Sequence, residues 1–302
     1  MSRTILAERF PQRASVWQLR SRRLIFSQRP LLMGIVNVTP DSFSDGGRFF
    51  EPSRAIEHGL RLAAEGADLL DVGGESTRPY AQPIAAAEEL RRVVPVVQAL
   101  CEQLDVPVSI DTSKALVARE AVAAGAEIIN DVTGLVGDPE MLPSALDGGV
   151  GICVMHIQGT PQTMQDQPTY RDVVEEIYEY LRVRRDVLLT AGVDRARICL
   201  DPGVGFGKTH QHNLTLLAGC GRYHKLGCPV LVGPSRKGFI GRVLGSQVGD
   251  RKAGTIGVCL ALAAQGVQVL RVHDVEPVRQ ALRMFEAIGG ITGHEVVLDQ
   301  PG

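Results

Sequence analysis

In this 302-residue sequence, apolar runs end again and again in residues able to do chemistry. Asp111 stands near the end of VPVSIDT, Asn130 in AEIINDV, and Asp201 in ARICLDPG. A carboxylate at the end of an apolar strand must find a donor to offset its desolvation. A heteroaromatic ring carrying adjacent N–H and NH2 groups would supply one as a bidentate pair. Lys237 lies on another strand end. On the residues alone it either faces such a ligand or closes an internal salt bridge with Asp111 or Asp201. Arg78, Arg236, Arg271 and His273, with Asn37 and the glycine-rich turns, form a second and basic set. That set suits phosphate or pyrophosphate, each charge-assisted bond to an oxyanion being worth about 1.5–3 kcal/mol. A carboxamide beside phosphate oxygens is natural for magnesium, which keeps most of its waters.

Other chemistries lack their residues. PGVGFGKT at 202–209 resembles a phosphate-binding loop, but its first glycine position is Pro202, and from Gly203 the spacing is one short. His156 and His273 lie at metal-ligand spacing with no other His or Cys, and there is no G-x-S-x-G elbow or credible Cys–His pair. The six cysteines form no C-x-x-C pair and several sit in apolar runs, so they read as reduced thiols of a cytoplasmic protein. In that compartment the Asn37-Val-Thr and Asn213-Leu-Thr matches to a glycosylation pattern carry no meaning. A net charge of −2 gives no general reason to bind nucleic acid, and no apolar run is long enough to cross a membrane. The chemistry therefore rests on positioning and electrostatics, without a protein nucleophile.

The elements that must hold these residues repeat. Eight short apolar, β-branched runs (LLMGIVNV, ADLLDVGG, VPVSIDT, AEIINDV, VGICVMH, ARICLDPG, PVLVGPS and VQVLRVHD) alternate with stretches of helical periodicity. The helices are predicted at about 52–65, 84–104, 114–124, 138–147, 170–191, 211–226, 252–265 and 275–287. EGADLLDVGG and AGAEIINDVTG are near-copies, as expected of a repeated unit. Continuously apolar strands imply burial on both faces and so a parallel sheet. Eight such units without a linker predict an α/β fold, a single-domain TIM-type (β/α)8 barrel, with a doubly wound sheet as the alternative. The barrel would span 24–290, after an extension at 1–23 and before a tail at 291–302. In such a barrel the active site lies at the carboxyl ends of the strands, where every strand here ends in something polar. Asp71, Asp131 and Ser113 are also readable as simple caps.

The arginine-rich first 30 residues have the composition of a transit peptide, but the simpler reading is an extension ending in a strand pair, VWQLRSRRLIFS, that covers one end of the barrel. After the first strand, NVTPDSFSDGG is too long for a turn. Residues 39–47 read as a lid that closes over substrate and excludes water, with Phe43 as its cap. A static loop with a core-packed Phe43 is the alternative.

The motifs MGIVNVTPDSFSDGG, DVGGESTRP, SIDTSK, IINDV, LDPGVGFGK, SRK and RVHD, in that order across about 24–288, closely resemble those of the dihydropteroate synthases. The resemblance implies condensation of 6-hydroxymethyl-7,8-dihydropterin pyrophosphate with 4-aminobenzoate, giving 7,8-dihydropteroate and pyrophosphate for folate synthesis. It implies that the carbon–oxygen bond breaks first and that the arylamine attacks a pterin-stabilised cation. Carried over by position, Asp111, Asn130, Asp201 and Lys237, with Met155 and Phe206 nearby, resemble pterin contacts. Arg271, His273 and Asn37 match the pyrophosphate and Mg2+ site, with Asn37 as the metal ligand. Thr77, Arg78, Pro79, Phe43, Phe206 and Lys237 match the surroundings of the aminobenzoate, where sulfonamides also bind. Gly233 joins the substrate-binding residues, and Asp111, Lys237 and Arg78 are the catalytic expectations. Asp111 would stabilise the developing cation electrostatically rather than transfer a proton. The partners implied are these two small molecules and a second copy in a homodimer, with no nucleic acid or membrane.

Two positions depart from the family pattern. Tyr80 follows ESTRP where glycine is frequent, so this loop is expected to close differently. Gly238 follows SRK where many relatives carry serine. Two other readings share the pterin-gripping residues: the folate-binding domain of a corrinoid methyltransferase, and a catalytically silent pterin-binding paralogue. The first has no need of SRKG and RVHD beside ESTRP. The second would be expected to lose Arg78, Lys237 or the opening loop, all of which are present.

Overall fold

The structure, a computed structural model, describes residues 5–39, 52–245 and 251–294. A short helix α1 (Ile5–Arg9) and an antiparallel hairpin, β1 (Val16–Gln18) with β2 (Arg23–Ile25), precede eight parallel strands. These are β3 (Leu31–Asn37), β4 (Leu69–Gly73), β5 (Val108–Asp111), β6 (Ile128–Asp131), β7 (Gly151–Met155), β8 (Ile198–Asp201), β9 (Leu231–Val232) and β10 (Val269–Val272). Neighbours pair in the order β8-β7-β6-β5-β4-β3-β10-β9, and a parallel bridge from Leu200 to Val230 joins the two ends. The sheet is therefore a nearly closed barrel, not the open sheet of the alternative. Helices fall between the strands: α2 (Pro52–Ala64), α3 (Ala86–Gln103), α4 (Ala115–Ala123), α5 (Met141–Gly148), α6 (Val173–Thr190), α7 (His210–Ala218), α8 (Gly238–Leu244), α9 (Lys252–Ala264) and α10 (Val275–Ala287).

The strands form where the apolar runs are, because both faces of each are covered. β4, β6, β7 and β8 are buried at every position. Two elements differ from the periodicity. The stretch expected as one helix at 211–226 divides into α7 and a 3-10 turn over Cys220–Leu226, since Gly219 interrupts it. Helix α8 falls outside every predicted helix; it begins after Lys237, whose extended backbone turns the chain.

The hairpin closes the amino-terminal end of the barrel. Trp17, Leu19 and Phe26 pack with Met33, Leu69, Ile128, Cys153, Cys199, Leu231 and Val269, a set drawn from seven strands. The Trp17 indole donates to the Arg197 carbonyl at 2.9 Å, so its single polar atom is satisfied. Glu127 receives the Ser21 backbone and hydroxyl and the Arg22 guanidinium, which fixes the hairpin turn. With this end plugged, the strands' carboxyl ends are the open mouth. All six cysteines are free, and no helix among the described residues is long and apolar enough to cross a membrane.

Candidate active site

The register of the sheet decides which side chains meet at the mouth. Asn37 pairs with Gly73, Gly73 with Asp111, Asp111 with Asn130, and Met155 with Asp201, so these six positions lie around one rim at the strand ends. Arg271 reaches across from β10, donating from Nε to Asp71 Oδ2 at 2.5 Å and from Nη2 to Asp111 Oδ2 at 2.7 Å. Asn130 Nδ2 donates to the same Asp71 oxygen at 3.1 Å. Asp71 is fully buried and its Oδ1 has no partner. It is not the cap that its position also suggested, but the inner anchor of Arg271 and Asn130. Asp131 is the local turn residue of the pair: it accepts from the Thr133 and Leu135 backbones and the Thr133 hydroxyl.

Of the two readings of Lys237, the internal salt bridge to Asp111 or Asp201 is absent among the described residues. Arg271 takes Asp111 instead, and the Lys237 ammonium lies 4.2 Å from the centroid of the Phe206 ring. This contact depends on a tight turn. Gly205 adopts φ 85°, and a Cβ there would stand 2.9 Å from Lys237 Cδ, so only glycine admits the lysine stem. Gly203 adopts φ 69°, and a Cβ there would run into the His156 carbonyl. Its N–H donates to Asp201 Oδ1 at 2.7 Å. The GVGFGK segment thus wraps Asp201 and supports Lys237, and does not form a nucleotide loop.

Burial sets the charges at the mouth. Desolvation pushes Asp111 up to about 7, against the pull of Arg271, and pushes Asp201 up to about 6, against the Gly203 N–H and the lysines. It lowers Lys237 to about 8. Arg271 goes the other way: burial lowers it, but Asp71 and Asp111 together hold it above its ordinary value. An unliganded mouth thus holds carboxyls for which an incoming N–H donor is a better partner than water-free protein. His273 is not a cation here. Burial, reinforced by Arg236 and Arg271, lowers it to about 3, and its Nδ1 is 3.0 Å from Ser235 Oγ. It contributes a neutral ring nitrogen to the basic set. Arg236 donates from Nε and Nη2 to the two Asp274 oxygens, at 3.0 and 2.8 Å, a bidentate pair that draws it away from that set.

Thr77, Arg78 and Pro79 lie on the loop after β4, with Thr77 half-buried and the other two exposed. The base of that loop is fixed: Lys114 donates to Glu75 and to buried Glu89 at 2.6 Å each, and Arg92 donates to the Gly74 carbonyl. Tyr80 does not avoid the left-handed backbone that favours glycine. It adopts φ 64°, its N–H donating to the Pro161 carbonyl and its hydroxyl to Asp166. Met155 is buried at the end of β7, and Gly233 follows β9 with Arg271 Cβ 3.8 Å from where its own Cβ would be. Phe43 and residues 40–47 of the expected lid lie outside the described residues. Sequence reasoning missed Asp71, Ser235 and Lys208. Asp71 and Ser235 sat in view at strand ends, but only the cross-barrel distances separate a cap from an anchor.

A family described as pterin binding enzymes matches residues 33–273. A Synechocystis dihydropteroate synthase is 43% identical over 264 residues, covering 87% of this chain and 91% of its own length. One from Neisseria meningitidis serogroup B is 43% identical over 280 residues, covering 91% and 98%. A solved Xanthomonas albilineans dihydropteroate synthase with 4-aminobenzoic acid superposes with a TM-score of 0.85 at 46% identity, covering 91% of this chain and 98% of that one. The same enzyme in complex with 7,8-dihydropteroate gives 0.81 at 44% identity, covering 90% and 98%.

Proposed function

The chain belongs to the dihydropteroate synthase family, transferases of folate biosynthesis, and from that premise we propose how its own residues perform the reaction. The substrates are 6-hydroxymethyl-7,8-dihydropterin pyrophosphate and 4-aminobenzoate, the latter being the ligand of the Xanthomonas enzyme. Asp201 and Asn130, with Asp111, bind the pterin's N–H and NH2 edge. The observation that carries this is the pair of carboxyls at the ends of β5 and β8, Asp111 partly buried and Asp201 buried, both pushed up by desolvation. A ring with adjacent donors offsets that desolvation.

Arg271, with His273, Asn37 and Gly233 around it, takes the pyrophosphate. When the carbon–oxygen bond breaks, its electron pair leaves with pyrophosphate and a cation remains on the pterin side. Asp111 stabilises that cation as fixed negative charge, a role that needs no proton transfer. The arylamine nitrogen then attacks the carbon and loses a proton to solvent. Thr77, Arg78 and Pro79 line the arylamine side, with Phe43 and Phe206, and Lys237 stands between the two substrates on the Phe206 face. Met155 supports the ring from below.

Among the described residues no cluster of three His, Cys, Asp or Glu side chains is placed to hold a metal. Asn37 offers one carboxamide at the end of β3, a donor set that suits Mg2+ held chiefly by water and substrate phosphate. Bound there, the ion would neutralise charge on the departing pyrophosphate. Asn37 would hold the ion, and Arg271 and His273 would hold the remaining pyrophosphate oxygens.

The catalytic unit is 24–290, with 1–23 as an extension and 291–302 as a tail. A homodimer through α9 and α10 is supported by exposed Ala253, Gly257 and Ala261, one turn apart on α9, and by Met284 and Ile288, 63% and 71% exposed. The free cysteines suit a cytoplasmic enzyme. Calorimetry separates the two halves of the site. Asp201→Asn should weaken binding of a dihydropterin without its pyrophosphate and leave inorganic pyrophosphate binding intact, and Arg271→Ala should do the reverse. If either variant binds both ligands as the parent does, that half of the assignment is wrong.

A further inference from the structure

Behind the mouth lies a buried cation that the reaction as described does not use. Lys208 is 2% exposed, and no carboxylate among the described residues is within ion-pair distance of its ammonium. Nζ donates to the Phe206 carbonyl at 2.8 Å and to His156 Nδ1 at 3.0 Å. Accepting that bond requires His156 to be neutral with its proton on Nε2, and burial beside Lys208 holds it so, lowering it to about 3. The imidazole is clamped by Tyr180, edge-on at 4.8 Å, and its backbone N–H donates to the Asp201 carbonyl. Tyr170 donates to the Gly207 carbonyl at 2.8 Å. A buried charge with only neutral hydrogen-bond partners is costly, and a helix cap or an apolar side chain would hold this turn at lower cost.

The position of Lys208 gives the cost a use. Its bond fixes the peptide of Phe206, whose ring faces the Lys237 ammonium, and its charge acts on Asp201. We propose that Lys208 is a positioning residue of the reaction: it sets the Phe206 wall beneath Lys237 and keeps Asp201 ionised for the pterin edge. The inference rests on Asp201 holding the pterin.

The groups around Lys208 define what a titration would read. Asp201 faces it from β8, Lys237 from the start of α8, His156 from the end of β7, Tyr170 and Tyr180 from before and within α6, and Asn213 from α7. His156 is neutral across the working range, and the two tyrosines titrate far above it. Burial lowers Lys208 itself to about 7, so it is charged where Asp201, at about 6, titrates. Asp111, at about 7, shares the acid limb of pterin binding but has no Lys208 beside it, so the part of the limb that moves in a Lys208 variant reports Asp201. Lys208 pulls that carboxyl down, so losing the cation lets it rise.

The test is the pH profile of kcat/KM for the pterin substrate in Lys208→Met. The limb is expected to move to higher pH by about half a unit or more, with KM rising for both substrates and kcat falling less. Lys208→Gln keeps a donor for the Phe206 carbonyl and carries the same test: the limb shifts while KM for the arylamine returns toward the parent value. A limb unmoved in folded variants overturns the proposal, as does failure of both to fold, which would make Lys208 a fold residue only. Asp201→Asn is the control. If it binds pterin as the parent does, the pterin assignment fails, whatever Lys208 does.

Discussion

The single residue that reorganises the picture of this site is Arg271. Its guanidinium spans two carboxylates from different strands, Asp71 at 2.5 Å and Asp111 at 2.7 Å, so the acidic and basic sets are one network before any ligand arrives. On the proposed assignment a pyrophosphate would compete with Asp111 for the same fork and a pterin for the same carboxylate, so each ligand would free a partner for the other. Asp111→Asn keeps the shape but removes the charge facing the cation, and steady-state turnover should fall about 100–1000-fold with the fold intact. Turnover within threefold of the parent would move the stabilising role elsewhere. The pH dependence has a definite sign. Burial pushes Asp111 up to about 7 and Asp201 up to about 6, and the proposed roles need both as carboxylates, so kcat/KM for the pterin substrate should fall as pH drops through 7 and 6 and level off only above about 8. A profile flat from 5 to 7 would contradict those roles.

At the scale of elements, the site depends on loops that the strands hold rigidly. The turn after β8 admits no side chain at Gly203, where φ is 69° and the His156 carbonyl occupies the space a Cβ would need. Gly203→Ala should cost more than about 1–2 kcal/mol in urea unfolding, from backbone strain and the clash together. An unchanged midpoint would show that the turn can re-form. The strands, their order and most helices were legible in the sequence, because each unit repeats the same change from a buried apolar run to helical periodicity. What escaped was whatever the repeat does not encode. Helix α8 has seven residues and sits inside a loop, too short to show a period. The Arg271 fork joins residues 200 and 160 positions apart, and no local spacing marks it. Lys208 escaped for another reason: inside GFGKT, a lysine reads as a phosphate ligand or a solvated charge, and only its burial excludes the second. Tyr80 was expected to redirect its loop, yet tyrosine adopts the glycine-like φ, held by the Pro161 carbonyl and by Asp166.

The whole molecule is a cylinder closed at one end and reactive at the other. The hairpin plug and the mouth share the strands but no side chains, so stability and catalysis should separate. Trp17→Ala removes a fully buried ring from the plug and should cost about 3–5 kcal/mol of stability, with KM for both substrates near the parent value at temperatures where the variant is folded. Light scattering on the purified chain should give the mass of two copies, and charged substitutions at Gly257 and Met284 should halve it. The central claim is that this mouth joins an arylamine to a pterin with loss of pyrophosphate through Asp111, Asp201 and Arg271. Its most direct test is pyrophosphate release by purified protein given 6-hydroxymethyl-7,8-dihydropterin pyrophosphate, 4-aminobenzoate and Mg2+, with Arg271→Ala alongside. Stoichiometric pyrophosphate and 7,8-dihydropteroate from the parent, with release at least about 100-fold slower in the folded variant, is the expected result. Folded parent that releases none, or a variant as fast as the parent, would contradict the account.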